Sequence, residues 1–162
     1  MNFRTNAFMN SLRAYVALGC YPLSEMSSVE ELSYIEETAR AVVLLSGTNR
    51  SFTVFHAYNS HSVEMGNIIY ALNRMGMKVE PVKEAVFQQR LREGLADEAL
   101  NRYLSPLVDY DLDDEENLEE IPAENSFTIN ALYHLGFQWT ITDLNIIETM
   151  IEALRTLGFF DM

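Results

Sequence analysis

The sequence predicts an α/β fold that is mostly helical. Apolar residues recur at helical spacing along most of the 162 residues. Two short apolar stretches, near 52–58 and 78–82, read as strands separated by a helix, which makes one βαβ unit. After residue 83 only helical patterns follow. The length fits a single domain or subdomain, with residues 1–82 as the α/β part and 83–162 as the helical part. A hydrophobic content of 48% argues for a folded core rather than a disordered chain.

The elements can be justified in order. Residues 7–18 place Phe8, Leu12, Tyr15 and Val16 on one helical face. Gly19 is a natural helix stop, and Pro22 opposes continuation. Ser28-x-x-Glu31 and Ser33-x-x-Glu36 match the capping box, and the second predicts a helix from about Tyr34 to Leu45. Phe52–Tyr58 is β-branched and aromatic, as a buried parallel strand would be, and leaves His56 as a hydrogen-bonded buried histidine. Asn59–Ser62 reads as a turn that caps a helix from Val63 to Met75, with Gly76 ending it. Lys78–Val82 is the second strand, and Pro81 assigns it to a sheet edge.

Four more helices follow, near 84–93, 97–107, 126–135 and 141–157. Thr140-x-x-Asp143 predicts the start of the last, whose apolar stripe is Leu144, Ile147, Ile151 and Leu154. Leu-Gly-Phe occurs at 135–137 and again at 157–159. Each ends a helix, with Gly supplying the left-handed residue and Phe packing back. Two parallel strands make a poor sheet alone, because an edge and two apolar faces need cover. The sheet is therefore expected to continue in other polypeptide, or in a homodimer joined at the exposed edge.

Charge narrows the function. Residues 1–108 carry a net −1 and residues 109–162 a net −12. Nucleic acid and anionic membranes would be repelled by the last third. No apolar run reaches the length of a membrane span, and the N-terminus has no secretory pattern, so a cytoplasmic location is expected. Cys20 is the single cysteine, a small half-buried residue rather than a nucleophile. Asp109–Glu120 holds eight carboxylates in twelve residues and has acids at positions 1, 3, 5 and 12 of a calcium loop. Asp114 stands where that loop needs Gly, and Glu116 where it needs an apolar residue, so a solvated acidic loop is expected. His56, His61 and His134 lack zinc-site spacing, and no Gly-x-Ser-x-Gly elbow supports a hydrolytic triad. Trp139 reads as core filler.

Four segments, in order, carry a family resemblance. They are Asn6-Ala7-Phe8 on the helix that reaches Gly19, Ser33–Val42, Phe55-His-Ala-Tyr-Asn59, and Thr128-x-x-x-Leu132-x-x-Leu135-Gly-Phe-x-Trp139. Together they resemble the C-terminal, substrate-side part of the thioester reductase domains of nonribosomal peptide synthetases, which are extended short-chain reductases. Tyr34, Ile35 and Glu36 stand where that family has Pro, Val and Asp, and Ser60 replaces its usual Pro. The acidic loop has no counterpart in the pattern.

The resemblance implies a fragment of a Rossmann-type enzyme. Its parent uses NADPH to reduce a peptidyl or acyl thioester, held on a carrier protein's phosphopantetheine arm, to an aldehyde or alcohol. No glycine-rich nucleotide fingerprint and no Tyr-x-x-x-Lys pair occurs in this sequence. No catalytic residue is therefore carried over, no cofactor or metal is expected on this chain alone, and the chain is expected to be inactive by itself. Its expected partners are an upstream nucleotide-binding half and the carrier protein. The expected substrate-side residues are Asn6, Phe8, Tyr58 and Asn59. An acidic carrier is expected to dock on Lys83, Arg90, Arg92 and Arg102. The alternative is a free-standing acidic helical interaction module with no enzymatic role.

Overall fold

The computed structural model describes residues 6–49, 51, 54–108 and 124–161. Expectations for the acidic loop at 109–120 fall outside these residues. The chain forms two compact units that interleave in sequence rather than meeting near residue 82. The first unit takes residues 1–28, 64–116 and 144–162, and the second takes 29–63 and 117–143.

The first unit opens with α1, Ala7–Leu18. Gly19 stops it at φ 71°, and its N–H returns to the Tyr15 carbonyl at 2.9 Å. Strand β1, Cys20–Pro22, follows at once, then a 3-10 turn over Leu23–Ser27. Two-residue strands β2, Val29–Glu30, and β3, Val63–Glu64, lie where the chain leaves and re-enters this unit. Helix α3, Met65–Arg74, leads to β4, Glu80–Val82. Asn73 shapes that connection. Its amide donates to Ile69 O at 3.0 Å and Val79 O at 2.8 Å, and its Oδ1 accepts the Val79 N–H at 2.9 Å. Strands β1 and β4 are parallel, with Cys20 opposite Glu80 and Pro22 opposite Val82. Helices α4 (Glu84–Ala96), α5 (Glu98–Leu104) and α7 (Leu144–Thr156) complete the unit. Asp97 caps α5 through the Ala99 N–H at 2.8 Å. The core gathers Leu12, Tyr15, Tyr21, Ile68, Leu72, Phe87, Leu91, Leu104, Ile147, Ile151 and Phe159. Tyr15 meets Tyr21 edge-on at 4.7 Å.

The second unit packs α2, Ile35–Ser46, against α6, Ser126–His134. Ala41 and Leu45 meet Leu132, Phe137 and Trp139, with Phe55 and Ala57 laid against them. Trp139 is the core filler its sequence context suggests, edge-on to Phe137 at 5.0 Å.

The mostly helical α/β class holds, with one small parallel sheet. The strand near 78–82 is present, but its partner is Cys20–Pro22 rather than the described part, 54–58, of the other expected strand. Residues 54–58 run without a ladder. The His56 N–H donates to Thr128 Oγ1 at 2.9 Å, the Tyr58 N–H to His56 O at 3.2 Å, and Tyr58 O accepts from Asn125 Nδ2 at 3.4 Å. Only the Phe55 and Ala57 side meets the helices, while Val54 and His56 are exposed. The apolar character of this stretch serves helix packing, and side chains replace the missing sheet partners.

Both capping expectations also shift. Tyr34 occupies the start of α2 without a side-chain cap, and Ser33 turns to Glu31 and Asn59 instead. Thr140 binds Glu37 through its hydroxyl and, at 3.3 Å, its N–H, and α7 begins only at Leu144.

The repeated Leu-Gly-Phe closes α6 and α7 as predicted. Gly136 and Gly158 adopt φ 75° and 65°. The Phe137 N–H reaches back to Leu132 O at 2.9 Å, and the Phe159 N–H to Leu154 O at 3.0 Å. Both rings are buried. Gly136→Ala meets open space, so its cost is conformational alone, about 1 kcal/mol. Gly158→Ala adds a Cβ 2.9 Å from the Asp161 carboxylate. The Gly158→Ala loss should therefore equal or exceed that of Gly136→Ala in urea unfolding midpoints, and a gain in either variant would contradict the assigned caps.

Candidate functional site

The four substrate-side candidates fall in different units and have different environments. Asn6 caps α1, its Oδ1 accepting the Met9 N–H at 2.9 Å, and is exposed. Phe8 lies two residues on, half-buried. Tyr58, also half-buried, and Asn59 belong to the second unit.

Asn59 is 1% exposed, and its side chain faces protein rather than solvent. Its Nδ2 donates to Thr140 O at 2.9 Å, Leu32 O at 3.2 Å and Thr142 Oγ1 at 3.3 Å. Its Oδ1 accepts the His61 N–H at 2.9 Å, and its own N–H donates to Ser33 Oγ at 2.9 Å. One amide thus ties three loop segments around the end of the 54–58 stretch. Its polar atoms are committed, so it positions neighbours rather than presenting itself to a ligand. Sequence reasoning placed Asn59 here but missed the partners Ser33, Thr140 and Thr142, which lie 26 to 83 positions away.

The four cations are spread over α4, with Lys83 at its start, and α5. Lys83 and Arg90 are seven residues apart, about two turns, and lie on one side of α4. Arg92 is two positions on, roughly 160° around the helix. Arg90 is paired to Glu80 at 3.2 Å. Its guanidinium also approaches Cys20, which is buried in β1. Burial pushes the Cys20 thiol up, and Arg90 offsets part of that rise. Cys20 is thus fully rather than half buried and is no poised nucleophile. Arg102 is exposed on α5, stacked 4.6 Å from the Tyr103 ring centre.

His56 is exposed rather than buried, and His61 is exposed with its backbone held by Asn59. Among the described residues no three His, Cys, Asp or Glu side chains gather as metal ligands. No described helix is long and apolar enough to cross a membrane. On the outer side of α2, Ile35, Val42 and Val43 are exposed. The groove beside the end of that helix, about 410 Å³, is lined by Val42, Leu45, Thr48, Phe55 and Ala57 among others.

No protein-family model and no curated protein matches the sequence. Solved structures do. A thiolation-reductase di-domain from an archaeal nonribosomal peptide synthetase superposes with a TM-score of 0.86 at 26% identity, covering 99% of this chain. The chain has the fold of part of a peptide-synthetase reductase domain. The terminal R domain of the myxalamid PKS-NRPS pathway gives 0.78 at 16% identity over 96% of the chain. The reductase domain of the aureusimine cluster gives 0.70 at 17% identity, also over 96%. These last two carry the fold alone. The chain spans 33% of the first structure and 40% and 39% of the others.

The resemblance implies a dinucleotide in the parent enzyme, so its fit to the present residues can be tested. A dinucleotide site needs a glycine turn between a strand and the start of a helix. The glycines with positive φ here are Gly19, Gly76, Gly136 and Gly158, and all four follow helix ends. Strand β1 runs through Pro22 into a 3-10 turn, and β4 runs through Lys83 into α4, neither with a glycine between. No glycine turn of that kind occurs among the described residues.

Proposed function

We propose that this chain is the C-terminal, substrate- and carrier-facing portion of an NADPH-dependent thioester reductase. In this reading a peptidyl or acyl group arrives as a thioester on the phosphopantetheine arm of a carrier protein. It leaves as an aldehyde or alcohol. Hydride transfer takes place in an upstream nucleotide-binding half, and this chain alone is inactive. The reaction is cytoplasmic. The observation that carries the reading is the likeness over 99% of the chain to a thiolation-reductase di-domain, joined to a sequence with no nucleotide fingerprint.

Asn6 and Phe8 in the first unit, and separately Tyr58 in the second, supply exposed or half-buried polar and aromatic groups suited to contact with substrate. Asn59 holds the loop that presents Tyr58. The exposed Ile35, Val42 and Val43 on α2 favour a polypeptide cover. Under the reductase reading that cover is the missing half. Under the interaction-module alternative it is a second copy or another protein.

The test is reconstitution. The purified chain, a carrier protein loaded with an acyl thioester, and NADPH should show no NADPH oxidation. Adding the nucleotide-binding half should start oxidation and release aldehyde. Oxidation by the chain without that half would overturn the division of labour. A mixture that stays inactive while the chain elutes as a tight homodimer, by light scattering, would favour the interaction module.

A further inference from the structure

Aromatic side chains aside, the polar or charged residues buried among the described residues are Asn59, Thr128 and Asn125. All three bond the same four residues of the second unit, 56–59. Thr128 Oγ1 accepts the His56 N–H at 2.9 Å, and Asn125 Nδ2 donates to Tyr58 O at 3.4 Å. The Tyr58 N–H turns back to His56 O at 3.2 Å. Asn59 anchors the far end through the clamp described above.

Asn125 and Thr128 forgo local work to do this. Asn125 precedes the first turn of α6, where Asn ordinarily caps a helix with its side chain, yet it makes no cap bond. Glu124 serves that turn instead, its carboxylate accepting the Ser126 N–H at 3.2 Å. Thr128, inside the same turn, meets a backbone donor 72 positions away. An apolar residue of similar shape would pack at either place without needing a partner, whereas a buried polar group costs free energy unless it is bonded. Polar bonds also select one geometry where apolar contacts tolerate several. Three such side chains on four residues fix where that backbone lies, and with it the point from which the Tyr58 side chain departs.

We propose that Thr128 and Asn125 are positioning residues, which set Tyr58 against the thioester substrate through the backbone of residues 56–58. The inference rests on the reading above, in which Tyr58 is a substrate-side residue. Thr128 carries more of the role, because its bond, 2.9 Å against 3.4 Å, is the stronger of the two.

The test uses the chain reconstituted with its nucleotide-binding half, NADPH and a carrier-bound acyl thioester. Thr128→Val keeps the shape but removes the acceptor of the His56 N–H. It should raise KM for the loaded carrier about tenfold and leave kcat within about twofold, since hydride transfer lies in the other half. Thr128→Ser, which keeps the hydroxyl, should stay within about twofold of wild type. Asn125→Ala should raise KM about threefold, and covers the case in which Thr128→Val disturbs folding. In a Tyr58→Ala background neither change should have a further effect, because both act through that side chain. A variant that is merely less folded would instead lower kcat at unchanged KM, and its loss would add to that of Tyr58→Ala. Either result in an active mixture would overturn the inference alone, as would a Tyr58→Ala change that leaves KM where it was. In the isolated chain, amide exchange at His56 should quicken in Thr128→Val and not in Thr128→Ser, and equal rates in the two variants and wild type would also overturn it. A wild-type mixture that reduces no thioester would sink the reductase reading, and this inference with it.

Discussion

Asn59→Asp should destabilise the second unit by roughly 3 kcal/mol or more at neutral pH. The substitution keeps Oδ1, which accepts the His61 N–H, but replaces the donor that faces Leu32 O, Thr140 O and Thr142 Oγ1. A carboxylate oxygen would then sit against two carbonyl oxygens at a position 1% exposed. Burial and those carbonyls would hold the folded-state pKa above the ordinary aspartate value of about 3.9. The sign follows from linkage. A raised folded pKa means that the protonated acid is tolerated, and that stability is lost as pH rises through the ordinary value and beyond. The deficit against wild type should therefore be small near pH 4 and large at pH 7. Asn59→Ala should lose stability without that pH dependence, at about 1–3 kcal/mol for each buried group left unpaired. Trp139 is the sole tryptophan and lies in this unit's core, so its fluorescence during urea unfolding reads the effect directly. A deficit for Asn59→Asp that does not change with pH would refute the role assigned to the amide.

Phe159→Ala should cost about 3–5 kcal/mol in the first unit. The ring is 1% exposed, packs edge-on against Phe160 at 5.4 Å, and with Tyr103 gives the Arg13 guanidinium its two aromatic faces. Removing it leaves a cavity where α7 ends and takes away half of the support for Arg13. Urea unfolding followed by helical circular dichroism should move to a lower midpoint with little change in slope. Phe159→Leu refills most of the space but offers no π face, so it should recover most of the stability while leaving Arg13 less constrained. If Phe159→Ala unfolded at the wild-type midpoint, the terminal Leu-Gly-Phe would be a surface ornament and not a core anchor.

Helices were the most legible part of this fold. Gly19, Gly76, Gly136 and Gly158 each fall at a helix end with positive φ, and the apolar stripe Ile147-Ile151-Leu154 is the buried face of α7. These signals are local, and local chemistry decides them. The sheet was less legible. Cys20-Tyr21-Pro22 is too short for an alternating pattern, and its flanking Gly and Pro read as a helix exit. Phe52–Tyr58 has strand composition, but Thr128 and Asn125 supply hydrogen bonds that a strand would seek in a ladder. Ser33 and Thr140 match capping boxes by spacing, yet long-range partners at Asn59 and Glu37 win them.

The candidate site divides the same way. Tyr58 and Asn59 were recognisable as positions, because they end a strand-like run. What they do depends on residues far away in sequence. The Asn59 clamp needs Thr140 and Thr142, and the hold on residues 56–58 needs Asn125 and Thr128, 67 and 72 positions later. No local pattern marks Asn125 and Thr128 for this, since polar residues at a helix start ordinarily serve that helix.

The measurement that bears most directly on the central claim is the genomic sequence upstream of the Met1 codon. The account predicts coding sequence there for a nucleotide-binding half, with a glycine-rich strand–helix turn followed by a Tyr-x-x-x-Lys pair, in the same or an adjoining reading frame. Its absence from both would contradict the reductase reading and leave the interaction module in its place.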